Sequence, residues 1–183
     1  MLNVKSTGII RRIDDLGRVV VPKEIRRKLN IREGDLIEIS VTEDSATFRK
    51  YSVFGKLAGC GNLLEGMYRL FKCPVLLCSR DQVADAFGIP KEQYEKRVYS
   101  KEFLEWMETQ DDRIIEKYDP IPVINGSEMY ADIALPIRAY GDMHGAIVML
   151  MKKDGKPSDV SRAIRMTCVD LVVQSVESML EAV

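Results

Sequence analysis

The sequence predicts an α+β chain in two parts, a small β-rich head over residues 1–52 and a larger mixed antiparallel sheet with helices over 53–183. Three observations carry that expectation. The first fifty residues hold four short runs rich in branched apolar side chains and one helix of two turns. Clean alternation over 129–138 faces a second apolar run over 145–152 across Gly141-Asp142, the pattern of a hairpin. The residues after Ser158 then repeat apolar side chains at helical spacing to the end of the chain. A length of 183 residues has room for two such small domains.

In the head, the runs Ile9-Ile10 with Ile13 and Val19-Val20-Val21 flank Asp14-Asp15-Leu16-Gly17, whose Asp and Gly suit a turn. Pro22 ends the second run, and its fixed φ suits the first turn of a helix over 23–29 with Ile25 and Leu29 on one face. Asn30 and Gly34-Asp35 interrupt. A strand over 36–41, a tight turn over 42–45 and a strand over 46–51 complete the unit. A chain this short buries a modest fraction of its surface, yet its branched side chains exceed what one thin sheet can hide. Two copies sharing a core by strand exchange would resolve the mismatch.

Charge divides along the same line. Residues 1–32 hold nine Lys or Arg against three acidic residues, a net of +6, whereas 33–52 hold two against five, a net of −3. The remaining residues, 53–183, carry 16 basic and 20 acidic side chains, a net of −4. The overall formal charge of −1 therefore conceals a cationic first hairpin and helix, the electrostatic footprint of a DNA-binding face, joined to an acidic body that points away from nucleic acid.

The run KSTGIIRRIDDLGRVVVPKEIRRKLNIREGD over 5–35 resembles the swapped-hairpin DNA-binding domain of the AbrB-type transition-state regulators of spore-forming bacteria. That resemblance implies that hairpins from two chains interleave and that the partner is double-stranded DNA. It assigns DNA contact to Arg11, Arg12, Arg18, Arg26 and Arg27, with Lys5 and Lys23 as weaker candidates. The plainer reading of Arg26, Arg27 and Lys28 is a solvated helix face near the negative end of the helix dipole. Asp14 and Asp15 read as turn residues, either of which could pair with an arginine and orient it.

The body opens with apolar positions at Val53-Phe54 and a glycine-broken connector that firms into a helix near 62–72. Strands over 75–79 and 82–87 pair around Ser79-Arg80-Asp81. A helix start is expected over 91–97, and Ser100 caps a helix to about residue 110 with Phe103, Leu104 and Met107 inward. Strands follow over 113–118, 129–138 and 145–152, with Pro136 marking an edge or bulge. Ser158 is the expected cap of the terminal helix, whose stripe is Ile164, Cys168, Leu171, Val172, Val176, Met179, Leu180 and Val183. This order, with helices on one side of the sheet, is similar to a GAF domain, as are the phrases Pro74-Val75-Leu76-Leu77-Cys78 and Leu135-Pro136-Ile137. The resemblance implies a possible small-molecule pocket, with Phe87, Tyr94, Phe103, Trp106, Met107, Tyr130 and Asp132 as candidates. The competing reading is that these aromatics complete the core.

Several classes are disfavoured. No apolar run approaches the roughly 18 residues that span a membrane, and the N-terminus lacks a signal-peptide core, so a cytoplasmic protein is expected. Cysteines 60, 73, 78 and 168 form no CxxC pair and His144 is the single histidine, which argues against zinc and for buried thiols. No phosphate loop, dinucleotide fingerprint or nucleophile elbow is present. The sequence thus predicts a DNA-binding transcriptional regulator without cofactor or catalysis, dimeric through its heads and tetrameric through its bodies, with a possible small-molecule effector. Two alternatives are an antitoxin-like toxin-binding protein and a metabolite-binding scaffold whose head only dimerises.

Overall fold

The computed structural model describes residues 8–29, 31–51, 54, 59–94, 97–109, 121–152 and 159–182. Contacts divide the chain into two units, Met1–Tyr51 and Ser52–Val183.

In the first unit, Pro22 (φ −59°) precedes α1 (Lys23–Lys28), and the Arg26 amide donates to the Pro22 carbonyl at 2.9 Å. The helix stops after six residues, before Asn30. Strands β1 (Ile37–Val41) and β2 (Ala46–Lys50) pair antiparallel from Ile37 opposite Lys50 to Val41 opposite Ala46. The turn between them closes through the Thr42 amide, which donates to the Ser45 carbonyl at 2.8 Å. Among the described residues, the runs around 9–13 and 18–21, expected as strands, belong to no ladder. A strand needs a neighbour for its backbone groups, and the only sheet described in this unit is β1–β2. None of the described residues of the unit is buried.

The second unit is a five-stranded sheet in the order β4-β3-β7-β6-β5, antiparallel throughout. Its strands are β3 (Val75–Ser79), β4 (Val83–Phe87), β5 (Ile121–Pro122), β6 (Met129–Ala139) and β7 (Asp142–Lys152). Val75, Leu76, Leu77 and Cys78 are all buried because both faces of the sheet are covered. Helices α2 (Cys60–Phe71) and α4 (Arg162–Glu181) pack with Val75, Leu77, Ile133, Ile137, Ile147 and Met149 on one face. On the other, α3 (Lys101–Glu108) joins Tyr94, Tyr99, Val123 and Ile124 over Leu76, Cys78, Ala134 and Val148. The expectation of helices on one side is therefore corrected: the unbroken apolar run of β3 already required two covers.

The β6–β7 hairpin turns at Tyr140 (φ 53°) and Gly141 (φ 85°), two successive left-handed residues that match the twist of the flanking strands. Among the described residues β5 pairs with β6 only at Tyr130 and Ala131, so Pro136 lies beyond that pairing, and the register shifts just past it between Ile137 and Arg138. Gly145 is needed for close approach. A Cβ there would lie 2.0 Å from the Cys78 carbonyl oxygen and 2.8 Å from the Phe54 ring.

Elements differ from expectation in four further places. Of the helix expected over 91–97, the described residues form a 3-10 turn, Lys91–Gln93. Helix α2 starts at Cys60, two residues early, after Gly59 in the left-handed region. The strand expected over 113–118 lies outside the described residues, as does Ser158. The cap of α4 is Ser161, whose hydroxyl accepts from the Ile164 amide at 3.4 Å. The buried stripe of α4 is Arg165, Val169, Val173, Val176 and Leu180, so Ile164 and Leu171 face outward at 55% and 57% exposure. An ion pair described below draws Arg165 inward and sets that rotation.

Candidate nucleic-acid interface

The turn of the first hairpin is built by Asp14. Its Oδ1 accepts from the Leu16 amide at 3.1 Å and the Arg18 amide at 2.7 Å, while its own amide donates to the Arg18 carbonyl at 3.1 Å. Gly17 (φ 75°) completes the reversal by donating to the Asp14 carbonyl at 3.0 Å. The second carboxylate oxygen, Oδ2, accepts from Arg18 Nε at 2.8 Å. Hydrogen bonds from the Arg18 amide and side chain hold the Asp14 carboxyl below its ordinary range.

Arg11, Arg12, Arg18, Lys23, Arg26 and Arg27 are all exposed, and Lys5 lies outside the described residues. Arg11, Arg12 and Arg18 flank the turn. Arg26, Arg27 and Lys28 form the last turn of α1, favourable at the negative end of its dipole. Beyond α1, the chain is fixed by Asp35, which sequence reasoning treated only as a helix breaker. Its carboxylate accepts from the Arg32 amide at 2.6 Å and pairs with Lys50 of β2 at 2.9 Å, with 6% of the Asp35 side chain exposed. This ties the segment after the cationic helix to the β1–β2 sheet.

In the second unit the seven candidate pocket residues are spread over both faces of the sheet. Tyr94 lines an open cleft of ≈ 500 Å³ together with Ile89, Gln93, Arg97, Ile124, Asn125, Gly126, Ser127, Glu128, Met129 and Lys152. The Tyr94 hydroxyl is 3.2 Å from the Ser127 hydroxyl, and burial pushes its ionisation upward. Phe103, Trp106 and Met107 fill the core beneath α3, where Phe103 meets Tyr99 edge-on at 5.1 Å and stacks on Trp106 at 5.4 Å. Phe87 packs on the opposite face with α2. Tyr130 is half-buried opposite Pro122 of β5.

Asp132 also leaves the cleft. A bulge between Ala131 and Ile133 breaks the period-two alternation, and the Asp132 carboxylate pairs with Arg165 of α4 on the other face. Arg162 donates from Nη2 to the Asp132 carbonyl at 2.8 Å, and its Nε lies 3.5 Å from the carboxylate. Arg165 further donates from Nε to the Val160 carbonyl at 3.3 Å. Neither arginine stood out in the sequence, because each lies in a helix with other surface charges.

No group of three His, Cys, Asp or Glu able to hold a metal occurs among the described residues. Cys60 and Cys78 are buried free thiols, pushed by desolvation to about 11 and about 12.

Residues 59–177 match the family described as Stage V sporulation protein T C-terminal, transcription factor. Residues 10–51 match that described as Antidote-toxin recognition MazE, bacterial antitoxin. Stage V sporulation protein T of Bacillus subtilis (strain 168) is 37% identical over 153 residues, which cover 81% of this chain and 86% of that protein. The transition state regulatory protein AbrB of the same organism is 52% identical over 48 residues, 26% of this chain and 50% of that one. The GAF domain from Acinetobacter phosphoenolpyruvate-protein phosphotransferase is similar in fold, with a TM-score of 0.51 over 71% of this chain and 86% of that chain at 11% identity.

Proposed function

The chain belongs to the stage V sporulation protein T family and is a DNA-binding transcriptional regulator rather than an enzyme; from that premise we propose that two copies join through their AbrB-like heads and bind duplex DNA with their pooled cations. The observation that carries the pairing is the exposure of the head's apolar side chains. Ile10, Ile13, Leu16, Val20, Leu36, Ile39 and Val41 are each more than half exposed. Each such side chain is stabilised by about 1.5–3 kcal/mol when fully buried, so a second copy is the natural cover. Pairing presents Arg11, Arg12, Arg18, Arg26 and Arg27 twice, with Lys5 and Lys23 in support. Lys and Arg on phosphates set position, and the arginines nearest the groove read base edges.

Anisotropy titrations of labelled genomic duplexes test this reading. Affinity falls steeply with added salt, and Arg18→Ala weakens the preferred fragment by ~10-fold or more, the scale of one paired base contact. Equal affinity of the variant, with its fold and mass intact, would contradict the assignment.

The GAF-like body is read as the regulatory and assembly unit. The cleft beside Tyr94 is the candidate effector site, since Arg97, Lys152 and Glu128 offer both signs of charge around a polar pair of hydroxyls. Joining of bodies into a tetramer is supported by the outward Ile164 and Leu171 of α4. Leu180 is buried against the sheet, so replacing it with a charge would test folding, not assembly. No helix among the described residues is long and apolar enough to cross a membrane, and the action is assigned to the cytoplasm, where duplex DNA is found.

The antitoxin-like alternative is favoured by the match over residues 10–51. It is disfavoured by the folded sheet that follows, which leaves no extended acidic tail among the described residues to wrap a toxin. Duplex binding by the intact chain would also argue against a head that only dimerises.

A further inference from the structure

We propose that Asp14 is a specificity-determining residue of the DNA-binding head, acting by holding the Arg18 guanidinium side-on so that its terminal edge is offered to a base. The inference rests on the DNA-binding reading above and adds a residue that makes no DNA contact itself. Asp14 performs two separable tasks with its two oxygens. Oδ1 shapes the turn through the Leu16 and Arg18 amides, and Oδ2 takes the Arg18 Nε proton at 2.8 Å.

A guanidinium has five N–H donors in a planar fork. With Nε engaged, the two terminal nitrogens remain, and their paired geometry fits the O6 and N7 acceptors of guanine. The Arg18 side chain is 69% exposed, so that edge is open to a ligand. The carboxylate also biases the choice of ligand. A phosphate brought to Arg18 would approach the fixed negative charge of Asp14, whereas a guanine edge carries no net charge. Asp14 therefore weakens indiscriminate backbone contact by Arg18 and favours reading of sequence. Its lowered ionisation range keeps the carboxylate charged wherever DNA is bound near neutral pH.

Asp15, next in the chain, supplies the control. It is exposed on the same turn with the same charge, and its removal alters the net charge of the head equally. The experiment compares the full-length wild type with Asp14→Asn, Asp15→Asn, Arg18→Ala and the Asp14→Asn/Arg18→Ala pair. Each is titrated against a duplex selected from a random pool by the wild type and against a scrambled duplex of the same composition, at several salt concentrations. Asparagine retains an Oδ1 acceptor for the two turn amides, so Asp14→Asn removes the tether while keeping the turn.

The expected result is that Asp14→Asn binds the scrambled duplex several-fold more tightly. Its logarithmic salt slope should also steepen by about 0.9 for each chain contacting the duplex, the increment for one added phosphate contact. The ratio of selected to scrambled affinity falls about tenfold, while Asp15→Asn leaves that ratio unchanged. In the Arg18→Ala background, Asp14→Asn has no further effect on the ratio. A ratio preserved by Asp14→Asn, or lowered equally by Asp15→Asn, would overturn the assignment to Asp14 alone. A wild type without preference for any selected duplex would instead overturn the DNA-binding reading beneath it.

Discussion

Asp132 on β6 and Arg165 on α4 form an ion pair beneath the sheet in which 4% and 7% of the two side chains remain exposed. Burying two charges is costly, and this pair is completed by Arg162, the Val160 carbonyl and the Met149 sulfur, which lies 3.6 Å from Arg165 Nη1. It joins the strand that borders the Tyr94 cleft at Met129 to the terminal helix. Its value lies more in fixing the rotation of α4 than in net stability.

Breaking one side of that pair should cost far more than removing both. Asp132→Leu leaves Arg165 buried without its carboxylate, and urea unfolding should register a loss of about 3–5 kcal/mol. The double replacement Asp132→Leu/Arg165→Leu should recover most of the loss. A double variant as unstable as the single one would show that the pair is not the main partner of either charge.

Ser100 offers a second test. Its side chain is fully buried, accepts from the Phe103 amide at 3.0 Å as the cap of α3, and donates to the Pro122 carbonyl of β5. Ser100→Ala removes both a helix cap and the hydroxyl that donates to the Pro122 carbonyl, so a loss of about 1–3 kcal/mol is expected in thermal or urea unfolding. Ser100→Thr should retain part of it if the hydroxyl alone matters. An unchanged midpoint in Ser100→Ala would contradict this role.

Alkaline conditions should weaken the second unit through Cys78. Its thiol is pushed from 9.0 to about 12 by burial, so between these values the unfolded chain releases a proton that the folded chain keeps. Stability attributable to this thiol is therefore complete below pH 9 and declines as pH rises toward 12, with a slope approaching about 1.4 kcal/mol per pH unit for one proton. Cys60, raised for the same reason, adds the same sign. Cys78→Ala should flatten the slope of stability against pH above 9; an unaltered slope would place the released proton elsewhere.

Much of this architecture is legible in the sequence because its signals are local. The alternation along β6 and β7, the turn at Gly141, the cap at Ser100 and the Pro22 entry to α1 each depend on a few neighbouring residues. The features that escape are those in which distant groups overrule local pattern. Asp132 is displaced from its alternating face by a bulge, and Arg165 enters the buried stripe of α4 to meet it. The runs around 9–13 and 18–21, expected as strands, are in no ladder among the described residues, since a ladder depends on a neighbour that local pattern does not specify. The cationic residues were legible as charge pattern, but the tether from Asp14 to Arg18 depends on a turn geometry that composition does not specify.

The pairing of heads into one cationic surface is tested most directly by the stoichiometry of the DNA complex. Sedimentation of the full-length protein with a labelled duplex, over a range of salt concentrations, gives the number of chains per duplex and the salt slope together. An even number of chains is predicted, with affinity falling steeply as salt rises. A single chain bound per duplex, or binding indifferent to salt, would contradict it.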